Sequence, residues 1–179
     1  ATHTVAVGHE SGPVVDGAVP SGSVELAVHT AAVGVARWSG ADRYETAVEV
    51  SERAFPGGAN TVVIATGANW PDALCAAPLC GVENASLLLV RTDSVPDVVL
   101  AEIDRLGAAW AIILGGTSAV SPGVEATLAD RLGVGNVRRI AGGNRFETSA
   151  KIASEVMADP AWDGSAFYAT GNNFPDALG

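Results

Sequence analysis

From Arg37 onward the chain alternates short apolar runs with longer amphipathic stretches. The runs Val33–Trp38, Thr61–Ala65, Ser86–Val90 and Trp110–Leu114 are largely apolar, and Val137–Ile140 begins and ends on an apolar residue. That pattern predicts strands of a parallel sheet covered on both faces, since a half-exposed strand would alternate polar and apolar residues. The stretches between them carry helix signals. Asp42 stands as N-cap with Glu45 three residues on, a capping-box spacing that predicts a helix over 42–54. Pro71, favoured at a first helical position, opens a second helix. Further helices are expected from Val95 to Leu106, ended by Gly107, and from about Pro122 to Leu132, closed by Gly133. The alternation predicts an α/β fold: a parallel sheet flanked by helices. Residues 1–36 follow neither period. They are rich in Gly, Val and Ser and predict a β-rich N-terminal extension, or the tail of a preceding domain.

The chain also repeats itself. Ser39-Gly40-Ala41-Asp42-Arg43-Tyr44-Glu45-Thr46 returns as Ala141-Gly142-Gly143-Asn144-Arg145-Phe146-Glu147-Thr148, and Thr66-Gly67-Ala68-Asn69-Trp70-Pro71-Asp72-Ala73-Leu74 returns as Thr170-Gly171-Asn172-Asn173-Phe174-Pro175-Asp176-Ala177-Leu178. The offset is 102 residues between Gly40 and Gly142 and 104 between Thr66 and Thr170. A period this long marks a duplicated supersecondary unit. The division expected is 1–36 as extension, 37–137 as a first complete repeat and 138–179 as the first part of a second. That second part includes an apolar run, Ser165–Ala169, expected as a strand with an open edge and an uncovered face. Packing onto residues 1–36, exchange with another copy, or a longer native chain would each resolve the exposure.

Composition narrows the chemistry. With 179 residues, 48% of them hydrophobic, the chain can bury a core. Only 17% of residues are charged, 20 acidic against 10 basic, and the net charge of −10 argues against nucleic acid and against an anionic membrane surface. No apolar run has the length of a membrane span. A start at Ala1 fits a processed secreted protein or a fragment. Cys75 and Cys80 lie five apart, too far for a disulfide on an unbroken helix. Pro78 between them could distort the helix enough to allow one; the simpler expectation is two buried free thiols.

The paired blocks resemble the signature of the cell-wall-binding repeat 2 family of Gram-positive surface and secreted proteins. The resemblance rests on Arg37 to Thr46, Trp70 to Leu74, Leu87-Leu88-Leu89, Ile113-Leu114-Gly115-Gly116, and the second-copy blocks Arg139 to Thr148 and Phe174 to Leu178. It implies a Rossmann-like, non-catalytic module that anchors proteins to the wall through an anionic secondary polymer of the teichoic-acid kind. It also implies modules grouped in threes, which makes a trimer the first homo-oligomer to look for.

The candidate ligand residues are Arg43, Arg145, Arg37, Arg139, Trp70 and Phe174. Arg43 and Arg145 each begin a helix, where anions are favoured, and a guanidinium there suits a phosphate or carboxylate. An internal salt bridge, such as Arg43 to Asp72, is the competing reading. Arg37 and Arg139 match each other across the repeat. Trp70 and Phe174 precede prolines at strand-to-helix turns, where they either stack on a sugar or staple the turn. Asp72 and Asp176 are expected to satisfy free backbone N–H groups at their helix starts. Gly115-Gly116-Thr117-Ser118 fits neither a dinucleotide fingerprint nor a Walker loop, so no cofactor is expected. His3, His9 and His29 all lie in the extension, leaving the repeats no imidazole base for a nucleophile. The sequence therefore reads as a secreted, wall-associated binding module with no catalysis and no metal of its own. Its rivals are a fragment of a secreted wall hydrolase and a protein–protein assembly module.

Overall fold

The computed structural model describes residues 36–160 and 162–173. The extension 1–35 with its three histidines, and the second-copy block from Phe174 to Leu178, lie outside the described residues.

Four strands form one parallel sheet: β1 (Thr61–Thr66), β2 (Ser86–Val90), β3 (Trp110–Leu114) and β4 (Val137–Ile140), in the order β2-β1-β3-β4. The central strand β1 is buried along its whole length. Ile64 stands opposite Leu88 on one side and Ile113 on the other. Side chains alternate across the pleat, so Val62 and Ile64 enter one apolar layer and Val63 and Ala65 the other. Helices α1 (Arg43–Ala54), α4 (Asp97–Leu106) and α5 (Pro122–Leu132) supply Val48, Val99, Ile103, Val124 and Leu128 to the first layer. Helices α2 (Pro71–Leu74), α3 (Ala77–Glu83) and α6 (Arg145–Ala158) cover the opposite face with Ala73, Leu79, Ile152 and Val156. The result is the expected Rossmann-like sandwich of helices around a parallel sheet.

Three elements differ from the sequence reading. The helix opened by Pro71 breaks after Leu74 and restarts at Ala77. Pro78 has no N–H to give the carbonyl of Leu74, and its ring would crowd that carbonyl. Cys75 and Cys80 fall on either side of the break as half-buried free thiols. The next helix begins at Asp97, two residues later than expected, with Pro96 as an extended N-cap; Val95 precedes a proline and is biased away from helical geometry. Residues 165–169 form no strand, and Phe167 and Tyr168 are fully exposed. Residues 36–38, the described end of the first expected strand, are likewise outside any strand.

A charged network ties α1, β2 and α4 together inside the first layer. The carboxylate of Glu102, 2% exposed, accepts a short hydrogen bond from Ser51 Oγ, and Ser86 Oγ donates to Ser51 at 2.7 Å. Arg105 closes over it through Nε at 2.6 Å and Nη2 at 2.8 Å, and Nη2 also reaches the Phe55 carbonyl at 3.2 Å. A buried carboxylate is tolerated only when so paired and hydrogen-bonded. Arg105→Ala strands that charge and should cost about 2 kcal/mol in denaturant unfolding, somewhat under the full cost of a buried unpaired charge because water can reach the gap. Arg53→Ala, which removes an exposed pair with Glu49, should cost less than about 1 kcal/mol. Equal effects would show that the Glu102 network is not a fastening of the fold.

Candidate functional site

The two copies of the Gly-x-Asp/Asn-Arg-Tyr/Phe-Glu-Thr block build the same helix start. Asp42 Oδ1 accepts from the N–H groups of Tyr44 and Glu45 at 2.8 and 2.9 Å; Asn144 Oδ1 accepts from Glu147 N–H at 3.0 Å. The glutamate reaches back to the N–H of Ala41 at 2.7 Å and of Gly143 at 2.8 Å. Thr46 and Thr148 accept from the N–H of Gly40 and Gly142 at 3.1 and 3.0 Å. Those glycines pass so close to the helix that a Cβ would stand 2.2 or 2.3 Å from the glutamate Cβ. The block is therefore first of all a capping device.

The arginine of the block latches the glycine of the matching Thr-Gly turn in its own copy. Arg43 Nη1 donates to the Gly67 carbonyl in a short bond, rather than pairing with Asp72, and Arg145 Nη1 donates to the Gly171 carbonyl at 3.0 Å. A Cβ at Gly67 or Gly171 would strike the Tyr44 or Phe146 ring, at 2.7 and 2.4 Å. Arg139, on β4, gives Nη1 to the Gly115 carbonyl at 2.8 Å and Nη2 to Glu125 at 2.8 Å. Arg37 is exposed on residues 36–40.

Of the five candidates among the described residues, Arg145 and Trp70 come together beside a cleft. The chain passes from β1 to β2 on one side and returns to β3 on the other, so the strand order reverses between β1 and β3, where open α/β sheets form a crevice at the carboxyl ends of their strands. A cavity of about 300 Å³ occupies that place. Thr66 ends β1, Asn69 comes from the loop after it and Asp72 from the start of α2, Thr92 follows β2, Gly116 and Ser118 come from the loop after β3, and Asn144, Arg145 and Thr148 from the second repeat. Among the described residues of this lining, Arg145 is the one cation and Asp72 the one carboxyl. The Arg145 guanidinium lies 5.3 Å from the Trp70 ring centre, within cation–π range. Sequence reasoning missed Thr66, Thr92 and Ser118. Their common signal is position, each one to four residues beyond or at a strand's carboxyl end.

Asp72 does not cap its helix, since α2 starts without a side-chain cap. Its carboxyl packs against Gly115, where a Cβ would lie 2.3 Å from Oδ2. Burial raises its pKa above the ordinary carboxylate value, and the Arg145 charge offsets part of that rise. Burial also pushes the Cys75 and Cys80 thiols up to about 11, with the Asp72 charge adding to the effect at Cys75. Both thiols are protonated at neutral pH and are poor nucleophiles.

Comparison with known proteins bears on the family and the fold. Residues 37–125 and 139–179 match the profile described as Cell wall binding domain 2 (CWB2). The N-acetylmuramoyl-L-alanine amidase LytC of Bacillus subtilis is 37% identical over 124 residues, 69% of this chain and 24% of that protein. The amidase enhancer of the same organism is 33% identical over 142 residues, 79% of this chain and 19% of that protein. Among solved structures, Cwp6 from Clostridium difficile superposes with a TM-score of 0.65 at 36% identity, covering 69% of this chain and 19% of its own, and Cwp8 with 0.62 at 40%, covering 66% and 21%. The chain thus spans a quarter or less of each of these relatives.

A carboxyl with a raised folded pKa binds more protons in the fold than in the unfolded chain between the two values. Stability therefore falls as pH rises through that interval and stays lower above it. Asp72→Asn should raise the melting temperature slightly at neutral pH and flatten that part of the acid-range profile. A lowered melting temperature at neutral pH would mean that the ionised carboxylate is held by the fold.

Proposed function

The chain belongs to the Cell wall binding domain 2 family, a family of secreted and cell-wall proteins, and from that membership we propose that it is a non-catalytic anchoring module whose cleft holds an anionic secondary polymer of the wall. The observation that carries the proposal is the placement of Arg145, from the second repeat, as the single cation among the described residues of a cleft shared by the two repeats. An acidic group of the polymer would take the guanidinium, and its sugar or polyol units would take the side chains of Thr66, Asn69, Thr92 and Ser118. Trp70 backs the guanidinium and offers an aromatic face.

The electrostatics favour a local contact. At a net charge of −10 the whole chain repels a polyanion, so attraction has to come from Arg145 or from bridging divalent cations. Close charge-assisted hydrogen bonds are screened less than long-range fields. Among the described residues the lining offers the hydroxyls of Thr66, Thr92, Ser118 and Thr148, groups that suit hydrogen bonding to a polyol. The amidase among the relatives extends far beyond the matched 24% of its length.

Arg43 makes the same carbonyl latch in the first repeat without lining this cleft, so it serves as the comparison. Arg145→Ala should lower retention on purified walls by roughly tenfold, equivalent to about 1.4 kcal/mol, while Arg43→Ala should lose a similar amount of stability and keep its retention. Removing the anionic polymer from the walls should abolish binding of the parent chain, and high salt should weaken it only moderately. Undiminished retention on stripped walls would sink the polymer reading.

A further inference from the structure

A second cavity lies at the amino ends of the strands, the opposite end of the sheet from the cleft. It has a volume of about 310 Å³, and Asn60, Thr61, Glu83, Trp110, Ile112 and Arg138 are among its lining. Thr61 of β1 stands beside Trp110 of β3, and Ile112 of β3 beside Arg138 of β4. Partners in a parallel ladder share a face, as do residues two apart in a strand. All four side chains therefore stand on the face that holds Ile112 and is covered by α3 and α6. That cover stops short of the strand starts: Ile112 is 2% exposed, Trp110 47%.

The polar groups around the indole are fixed in place, and several are unspent. Asn60 sits beside Trp110 because its carbonyl accepts from the N–H groups of Ala109 and Trp110 at 2.8 and 3.0 Å. The Asn60 amide and the Trp110 indole N–H have no hydrogen-bond partner among the described residues. Arg138 is held between two helices, with Nη1 2.6 Å from Glu155 of α6 and Nη2 3.3 Å from Glu83 Oε1 of α3. One cation shared by two carboxylates leaves this rim negative, so a phosphate or carboxylate is repelled here, and the net charge of −10 adds to the repulsion.

We propose that this cavity is a glycan subsite that takes an uncharged pyranose ring laid on the Trp110 indole. A pyranose has a face of C–H groups and a rim of hydroxyls. The indole receives the first, and its N–H, the Asn60 amide and Glu83 Oε2 receive the second, with donors and acceptors both supplied. A lone exposed tryptophan needs no ligand. Trp110 differs in walling a concavity whose edge carries unpaired polar groups, the usual build of a small-ligand pocket. The subsite shares no residue with the cleft at the carboxyl ends of the strands, so the two bind independently.

The test follows the Trp110 indole N–H resonance in the isotope-labelled 179-residue chain, assigned by its absence from the Trp110→Phe spectrum. Two neutral probes are titrated in, tetra-N-acetylchitotetraose and cellotetraose. At least one should shift the resonance saturably, and inorganic phosphate should not. By calorimetry Trp110→Ala should weaken that affinity by roughly tenfold or more and Asn60→Ala by about threefold, while Arg145→Ala keeps it. Asn60 is exposed, so its variant decides the matter if Trp110→Ala fails to fold. A resonance unmoved by both sugars would overturn the proposal. So would an equal shift with phosphate, affinity undiminished in Asn60→Ala and Trp110→Ala, or affinity lost in Arg145→Ala.

Discussion

A parallel sheet has to be covered on both faces, because its strands are apolar on both and its crossovers carry the helices that cover them. Here β1 is buried from end to end, so the fold stands or falls on two helical layers being present at once. The first repeat supplies α1, α4 and α5 to one side. On the other side α2 and α3 are short and interrupted at Pro78, and the layer closes only when α6 contributes Ile152 and Val156. The same segment brings β4, which closes the edge of β3 against further pairing.

That dependence makes the repeat block serve two purposes. Its aspartate or asparagine, glutamate and threonine cap a helix, and its glycine lets the chain pass against the first turn. These are local duties, performed the same way in both copies. The arginine then reaches across to the Thr-Gly turn of its own repeat, while in the second copy it also lines the cleft that the two repeats share. A helix start that must sit at the junction of two units is a natural place for a ligand contact, since the ligand then meets groups from both.

Charge is handled differently in the two halves of the molecule. Glu102 is buried with Ser51 of α1 and Arg105 of its own helix as partners, and Ser86 of β2 joins through Ser51, so the network fastens the first layer. Asp72 is half-buried beside Arg145 without a capping role, and its proton is held more tightly than that of an ordinary carboxyl.

The sequence by itself determined the elements and the family. The apolar runs from Thr61 to Ile140 became strands, Asp42 and Asn144 became N-caps, and Gly107 and Gly133 ended their helices, because each of these depends on neighbours within a few residues. The repeat also gave the fold class, since alternating strands and helices with both-faced apolar strands leave few arrangements. What only the tertiary structure decided is which elements meet. That Arg43 reaches Gly67 and not Asp72, that Arg145 joins Trp70, and that Thr66, Thr92 and Ser118 line one cleft all follow from strand order, which no local pattern encodes.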